Sequence, residues 1–189
     1  AQHSVPYDAL AEVYVWLTPD VLLTPEGAAE AYGEILGRLR PGARVLDCAC
    51  GSGQLAVGLA LRGFDVTASD ASPAMVAQAA RLADGHGVTI STAVCAWADL
   101  TSADWAHSFD AVLCVGNSLA HAEGRAARRV AVRAMRGVLS PRGLLAVTSR
   151  NWEQVRAAGS RLEVADQLVR RHGVDGLPIY AWTIGDRWD

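Results

Sequence analysis

The chain has 189 residues, 51% of them hydrophobic, with a mean hydropathy of +0.15 and a formal net charge of −3. That is enough for one α/β domain with a full core, and too apolar for a disordered segment. The charge gives no electrostatic footing for a nucleic-acid partner, no apolar run nears the ~20 residues that span a bilayer, and AQHSVPYDAL lacks the basic-then-apolar pattern of a secretory signal, so a cytoplasmic setting is expected.

All seventeen basic residues are arginine, which with the heavy use of Ala, Gly and Val reads as GC-rich coding and points to a bacterial source. In chain order, a short helix over residues 7–17 lies between Pro6 and Pro19, and a helix over 25–39 follows. Strands are predicted over 44–48, 65–69, 89–94, 111–115 and 144–149, and helices over 54–62, 73–83, 124–138 and 152–159. Pro141-Arg142-Gly143 reads as a turn before the fifth strand. A further helix is expected within 161–173, then a strand with a polar turn over 179–188. Alternating strands and helices imply a parallel sheet covered on both faces.

Residues 44–53, RVLDCACGSG, form a buried strand running into a glycine-rich turn. Glycine lets the backbone pass close to a ligand that a Cβ would block. The second strand ends at Asp70, seventeen residues beyond Gly53, where a carboxylate can take both hydroxyls of a ribose. An adenosine-derived cofactor is therefore expected. Gly51-Ser52-Gly53-Gln54-Leu55-Ala56 fits the loose G-x-G-x-x-[GA] pattern, which alone is weak. Asp47, just before the turn, sits badly beside a pyrophosphate and well beside a cofactor carrying a sulfonium and an ammonium.

The runs VLDCACGSG, VTASDASPAMVAQA and FDAVLCVGNSLAH resemble the class I S-adenosylmethionine-dependent methyltransferases. Ala49, where most of that class has glycine, Gly116-Asn117-Ser118 with His121, and Arg150-Asn151 are similar to the glycine and sarcosine N-methyltransferase group. The resemblance runs from Tyr7 to Trp152 and more faintly beyond. It implies a Rossmann-like class I methyltransferase fold: a mostly parallel sheet flanked by helices, closed at one edge by a C-terminal antiparallel hairpin. Too few residues follow the fifth strand for that hairpin, so it is expected to be missing or incomplete. Residues 1–40 are expected to form an N-terminal lid, 41–152 the cofactor-binding domain, and 153–189 the truncated start of a substrate or accessory segment. An uncovered sheet edge would invite self-association, which leaves a homo-oligomer open.

The implied cofactor is S-adenosyl-L-methionine and the implied partner a small molecule, with no metal. By the same resemblance, Tyr7 and Trp16 are lid aromatics facing cofactor and substrate, and Ala49 offers its carbonyl to the cofactor ammonium. Gly51 and Gly53 shape the turn, Ala71 and Met75 flank the adenine, Val115 is a further cofactor contact, and Gly116-Asn117 lies beside the transferable methyl. Ala96 stands where the class often has an acid or amide bonding the adenine. Alanine cannot do so, which leaves the backbone and ring of Trp97. The group also places an arginine in its N-terminal segment for the cofactor carboxylate, and this chain has no positive side chain before Arg38.

Several residues carry two readings. Asp70 is a ribose ligand or a helix cap, although Ser72 already supplies a cap before Pro73. Trp97 is a cofactor contact or plain packing. Asn117 holds the substrate or simply makes a turn. His121 is a proton acceptor or a histidine bonding the local backbone. Arg150 ends an apolar strand at the edge where ligands bind, so it grips a substrate carboxylate, as the matching arginine does in the group, or makes a surface salt bridge. Cys48, Cys50, Cys95 and Cys114 read as buried small hydrophobes. Arg125, Arg128, Arg129, Arg133 and Arg136 read as the solvated face of a helix whose Val130 and Val138 point inward. The expected function is N-methylation of a carboxylated amine. The alternatives are an O-methyltransferase with His121 as base, a nicotinamide-dependent oxidoreductase, and a cofactor-binding module without activity.

Overall fold

The computed structural model describes residues 14–102 and 104–185. Its centre is a five-stranded parallel sheet in the order β3-β2-β1-β4-β5, formed by β1 (Arg44–Asp47), β2 (Asp65–Asp70), β3 (Ser91–Val94), β4 (Phe109–Cys114) and β5 (Leu139–Val147). The order reverses at β1, so the crevice beyond the carboxyl ends of β1 and β4 is where such a sheet binds ligands. Among the described residues, no helix is long and apolar enough to cross a membrane.

Both faces of the central strands β1 and β4 are buried, and their alternate residues serve opposite layers. Val45, Ala111 and Leu113 pack with Ala28, Leu36, Leu55, Leu59 and Ala79. Leu46, Val112 and Cys114 pack with Ala131, Ala134, Met135 and Val138. The first layer is built by α2 (Pro25–Ala31), α3 (Gly33–Leu36), α4 (Gln54–Leu61) and α5 (Pro73–Gly85), and the second by α6 (Gly124–Val138). On α6 the inward stripe is Ala131, Ala134, Met135 and Val138, an i, i+3, i+4, i+7 pattern. Val130 falls outside that stripe and is 49% exposed, contrary to the inward position expected for it. Cys48, Cys50 and Cys114 are buried, Cys95 is half-buried, and all four thiols are free.

The structure departs from the sequence reading at several places. The helix expected over 25–39 is two helices, because Tyr32 leaves helical geometry at φ −111°, ψ 15° just before Gly33. The fifth strand starts at Leu139, directly after α6. Leu139 pairs with Phe109 and Leu144 with Ala111, so Pro141-Arg142-Gly143 is a bulge inside the strand and not a turn before it. Of the N-terminal helix, α1 (Tyr14–Leu17) is described, and Tyr7 lies outside the described residues.

The largest correction concerns residues 161–173. They are not helical. They supply β6 (Arg161–Val164) and β7 (Val169–Arg171), which pair antiparallel with β9 (Ile179–Trp182) and β8 (Val174–Gly176). The turn between β7 and β8 is His172-Gly173, both at positive φ (51° and 80°), as a two-residue hairpin turn requires. Antiparallel pairs are thus present after the fifth strand, although the sheet order joins neither to the parallel sheet.

Candidate functional site

The loop from Cys48 to Gly53 is tied to three neighbours at once. Cys48 N–H donates to the Leu113 carbonyl on β4 (3.0 Å), and Cys50 N–H donates to the Ser69 carbonyl on β2 (3.0 Å). Trp97, just past β3, donates its indole N–H to the Cys48 carbonyl at 2.7 Å. Gly53 (φ 94°) makes the corner into α4. Gly51 (φ 51°) has nothing within 4 Å of where a Cβ would project, so the space beside it is open.

Asp70 stands at the end of β2 with both carboxylate oxygens engaged by backbone. Oδ2 accepts the Gly51 N–H (3.0 Å) and Oδ1 the Ser72 N–H (2.9 Å). The helix cap itself is Ser72, whose Oγ accepts the Met75 N–H at 3.2 Å. A carboxylate oxygen accepts more than one donor, so each still has capacity for a ligand hydroxyl. Ala71 and Ala96 are exposed beside it, Ala49 is half-buried, and Met75 and Val115 are buried.

Asp47 is 1% exposed, and its nearest donor is the Ala49 N–H at 3.5 Å. Burial pushes its carboxyl up to about 7, against the lowering effect of the Ala49 N–H, and the Asp70 charge adds to the rise. A buried acid with so little local compensation suits a cationic neighbour.

At the ends of β4 and β5, Asn117 (φ 69°) has its Oδ1 occupied by the Arg150 N–H (3.0 Å) and the Ser149 hydroxyl (3.3 Å). Its side chain therefore spans the two strand ends, and its amide N–H₂ is the part that can serve a ligand. Thr148 Oγ1 accepts the Gly116 N–H at 3.0 Å. His121 closes the short turn Ser118–His121, and burial lowers its pKa, which favours the neutral ring. Arg150 enters none of the ion pairs among the described residues, and its guanidinium lies 5.0 Å from the ring centre of Trp182. Trp182, Arg161 and Glu163 were not legible as neighbours of Arg150, since only the cross-strand pairing of β6 with β9 brings them together.

Trp16 lies apart from this cluster. Its ring packs on Gly176 of β8. The same segment is held by Arg171 of β7, whose guanidinium donates to the Val15 carbonyl (2.8 Å), the Thr18 carbonyl (3.1 Å) and the Asp20 carboxylate (2.6 Å).

Residues 45–143 match a family described as a methyltransferase domain. A glycine/sarcosine N-methyltransferase of Parasynechococcus marenigrum is 38% identical over 144 residues, which cover 75% of this chain and 51% of that protein. The glycine N-methyltransferase of Rattus norvegicus is 33% identical over 151 residues, covering 72% and 50%. The chain thus spans about half the length of the curated relatives it matches. Among solved structures, the amino pentose methyltransferase CalS10 of Micromonospora echinaspora, with S-adenosylmethionine bound, superimposes with a TM-score of 0.71 at 26% identity, over 95% of this chain and 70% of its own. The CcbJ methyltransferase of Streptomyces caelestis shares the fold, with a TM-score of 0.71 at 22% identity over 91% and 67%. This chain has the glycine turn, the acid ending β2 and the β3-β2-β1-β4-β5 sheet order described above, and with the matched methyltransferase domain and these relatives it belongs to the class I S-adenosylmethionine-dependent methyltransferase family.

Proposed function

We propose that this chain carries the cofactor and acceptor site of a small-molecule methyltransferase, and that its acceptor is an amine on a carboxylated compound. The observation that carries the cofactor half is Asp70, held by the Gly51 and Ser72 N–H groups at the crevice with acceptor capacity left on both oxygens. The residues fit S-adenosylmethionine: Gly51 leaves open the space a Cβ would fill, Asp70 suits a ribose diol, and buried Asp47 suits a positively charged group. When bound, that cofactor supplies an electrophilic methyl on a sulfonium.

The chain's own residues then bind, orient and exclude water. Ala71, Met75 and Ala96 form the adenine surroundings, with Ala49 and Val115 nearer the reacting end and Trp97 fixing the loop through Cys48. Asn117 links the ends of β4 and β5 and directs its N–H₂ toward the acceptor. Arg150, free of ion pairs, offers a guanidinium for an acceptor carboxylate. An ammonium acceptor must lose a proton, which passes to solvent or to a ring nitrogen of His121. The similarity to glycine/sarcosine and glycine N-methyltransferases supports the amine and the carboxylate.

Calorimetric titration with S-adenosylmethionine and S-adenosylhomocysteine, beside Asp70→Ala, tests the cofactor half. Binding in the micromolar range, weakened by ~30-fold or more in the variant, is expected from loss of a charge-assisted diol contact. A folded chain that binds neither ligand would overturn the reading, and NADH would be titrated next. For the acceptor half, Arg150→Ala should raise the acceptor KM by ~tenfold or more and leave the cofactor Kd unchanged. Equal effects on both would reject the carboxylate grip.

A further inference from the structure

A groove of about 380 Å³ opens beside Arg150, between α7 (Trp152–Ala157) and the β6–β9 pair. That volume falls within the roughly 300–1,000 Å³ of small-molecule sites and exceeds what glycine would fill. Val155 and Ala158 line it from α7 and its C-terminal cap. Arg161, Glu163 and Trp182 line it from the strands, with Arg161 directly opposite Trp182 in register.

The charges in the groove do not cancel. Glu163 is already engaged: its Oε1 accepts the Arg161 Nε–H (2.6 Å) and its Oε2 the Trp182 indole N–H (2.9 Å). The Trp182 indole N–H first, then Arg161, hold its carboxyl below the usual range, and the charge of Arg150 adds to the effect, so it stays ionised. Both guanidiniums lie over the Trp182 ring, Arg150 at 5.0 Å and Arg161 at 5.3 Å. The indole is thus pinned at its N–H and serves as a platform for Arg150. Two arginines thus face one carboxylate, so one positive charge is in excess; Arg150 enters no ion pair among the described residues, and beside it lie Val155, Ala158 and the indole together with the polar side chains of Asn151 and Gln154.

We propose that this groove is the acceptor subsite and that it selects a monoanionic carboxylate whose amine-bearing carbon also carries an apolar group larger than hydrogen. The inference rests on the methyltransferase reading above and narrows its substrate class. The carboxylate meets Arg150, which Trp182 positions, while the apolar group lies on Val155 and Ala158. Glycine would satisfy Arg150 and leave the apolar wall to water.

The test is calorimetric titration of the chain with glycine, L-leucine, L-phenylglycine and L-leucinamide, with and without S-adenosylhomocysteine. Leucine or phenylglycine should bind ~tenfold or more tighter than glycine, and leucinamide should lose most of that gain with its carboxylate. Trp182→Phe keeps an aromatic face and should cost less than ~threefold, whereas Trp182→Ala should cost about as much as Arg150→Ala. Ala158→Phe fills the groove from an exposed position, so it should weaken leucine more than glycine and leave S-adenosylhomocysteine binding unchanged. Equal affinity for glycine and the larger amino acids, or leucine binding indifferent to both Trp182→Ala and Ala158→Phe, would overturn the proposal. The titrations without S-adenosylhomocysteine read the groove directly, so failure of the cofactor to bind is distinguishable from failure of the groove.

Discussion

Asp47 and Asp70 end the two neighbouring strands β1 and β2, and the fold treats them in opposite ways. Asp70 is half-buried and takes two backbone N–H groups, at 2.9 and 3.0 Å. Asp47 is buried, has one donor at 3.5 Å, and is pushed up to about 7, chiefly by burial and in part by the charge of Asp70.

The pH dependence follows from Asp47. Its folded pKa lies above the ordinary aspartate value of 3.8, so between about pH 4 and 7 the native state binds more protons than the unfolded one, and stability falls as pH rises. The full cost above neutrality is on the order of 4 kcal/mol. Asp47→Asn should therefore raise the thermal midpoint of the ligand-free protein at pH 8 and change little at pH 4. A cationic cofactor favours the ionised acid, so its affinity should rise with pH up to about 7 in the wild type and stay flat in Asp47→Asn, with proton release visible in buffers of different ionisation enthalpy. A flat profile in both proteins would separate Asp47 from the cofactor.

Gly53 and Gly51 should respond differently to alanine. A methyl at Gly53 would lie 2.6 Å from the Ala79 Cα, in a backbone at φ 94°. Gly53→Ala should cost more than ~3 kcal/mol, because α5 must retreat as well as the turn strain. At Gly51 (φ 51°) the space is open, so the stability cost should stay near ~1 kcal/mol and the loss should appear in cofactor affinity. Urea unfolding and calorimetry on the two variants distinguish the cases.

Trp97→Phe keeps an aromatic ring in the layer containing Leu46 and Val112 but removes the donor to Cys48. A part-buried carbonyl left without its partner costs ~1–2 kcal/mol, a fall in the thermal midpoint of roughly 2–8 °C for a chain of this size. Loosening of the glycine turn should also weaken S-adenosylhomocysteine binding. An unchanged midpoint would mean that water replaces the indole.

Arg171 joins the segment before α2 to β7 through three acceptors, and its side chain is 10% exposed. Arg171→Met keeps the apolar stem and removes every donor. Proteolytic cleavage around residues 14–22 should become ~tenfold faster, while the midpoint of the parallel-sheet core moves by less than ~3 °C, because local opening is controlled by local contacts. Equal protection of that segment in the variant would show that Trp16 on Gly176 suffices to hold it.

The parallel sheet was legible because its signals are local. The apolar runs at 45–46 and 111–115, the small-residue turn from Cys48 to Gly53, and Asp70 closing the next strand all lie within short windows. The hairpin at His172-Gly173 was missed because histidine at positive φ is an uncommon turn residue, and residues 161–173 carry no strict alternation to oppose a helical reading.

The sequence by itself determined the family, the cofactor turn and the order of strands and helices through the parallel sheet, since glycine placement and hydrophobic period depend on neighbours a few residues away. Only the tertiary structure decided what those residues face. Burial raised Asp47, Trp97 reached back 49 positions to Cys48, and the β6–β9 register set Trp182 under Arg150. Each depends on segments distant in sequence meeting in space, and no local pattern encodes the dielectric, the distance or the partner that results.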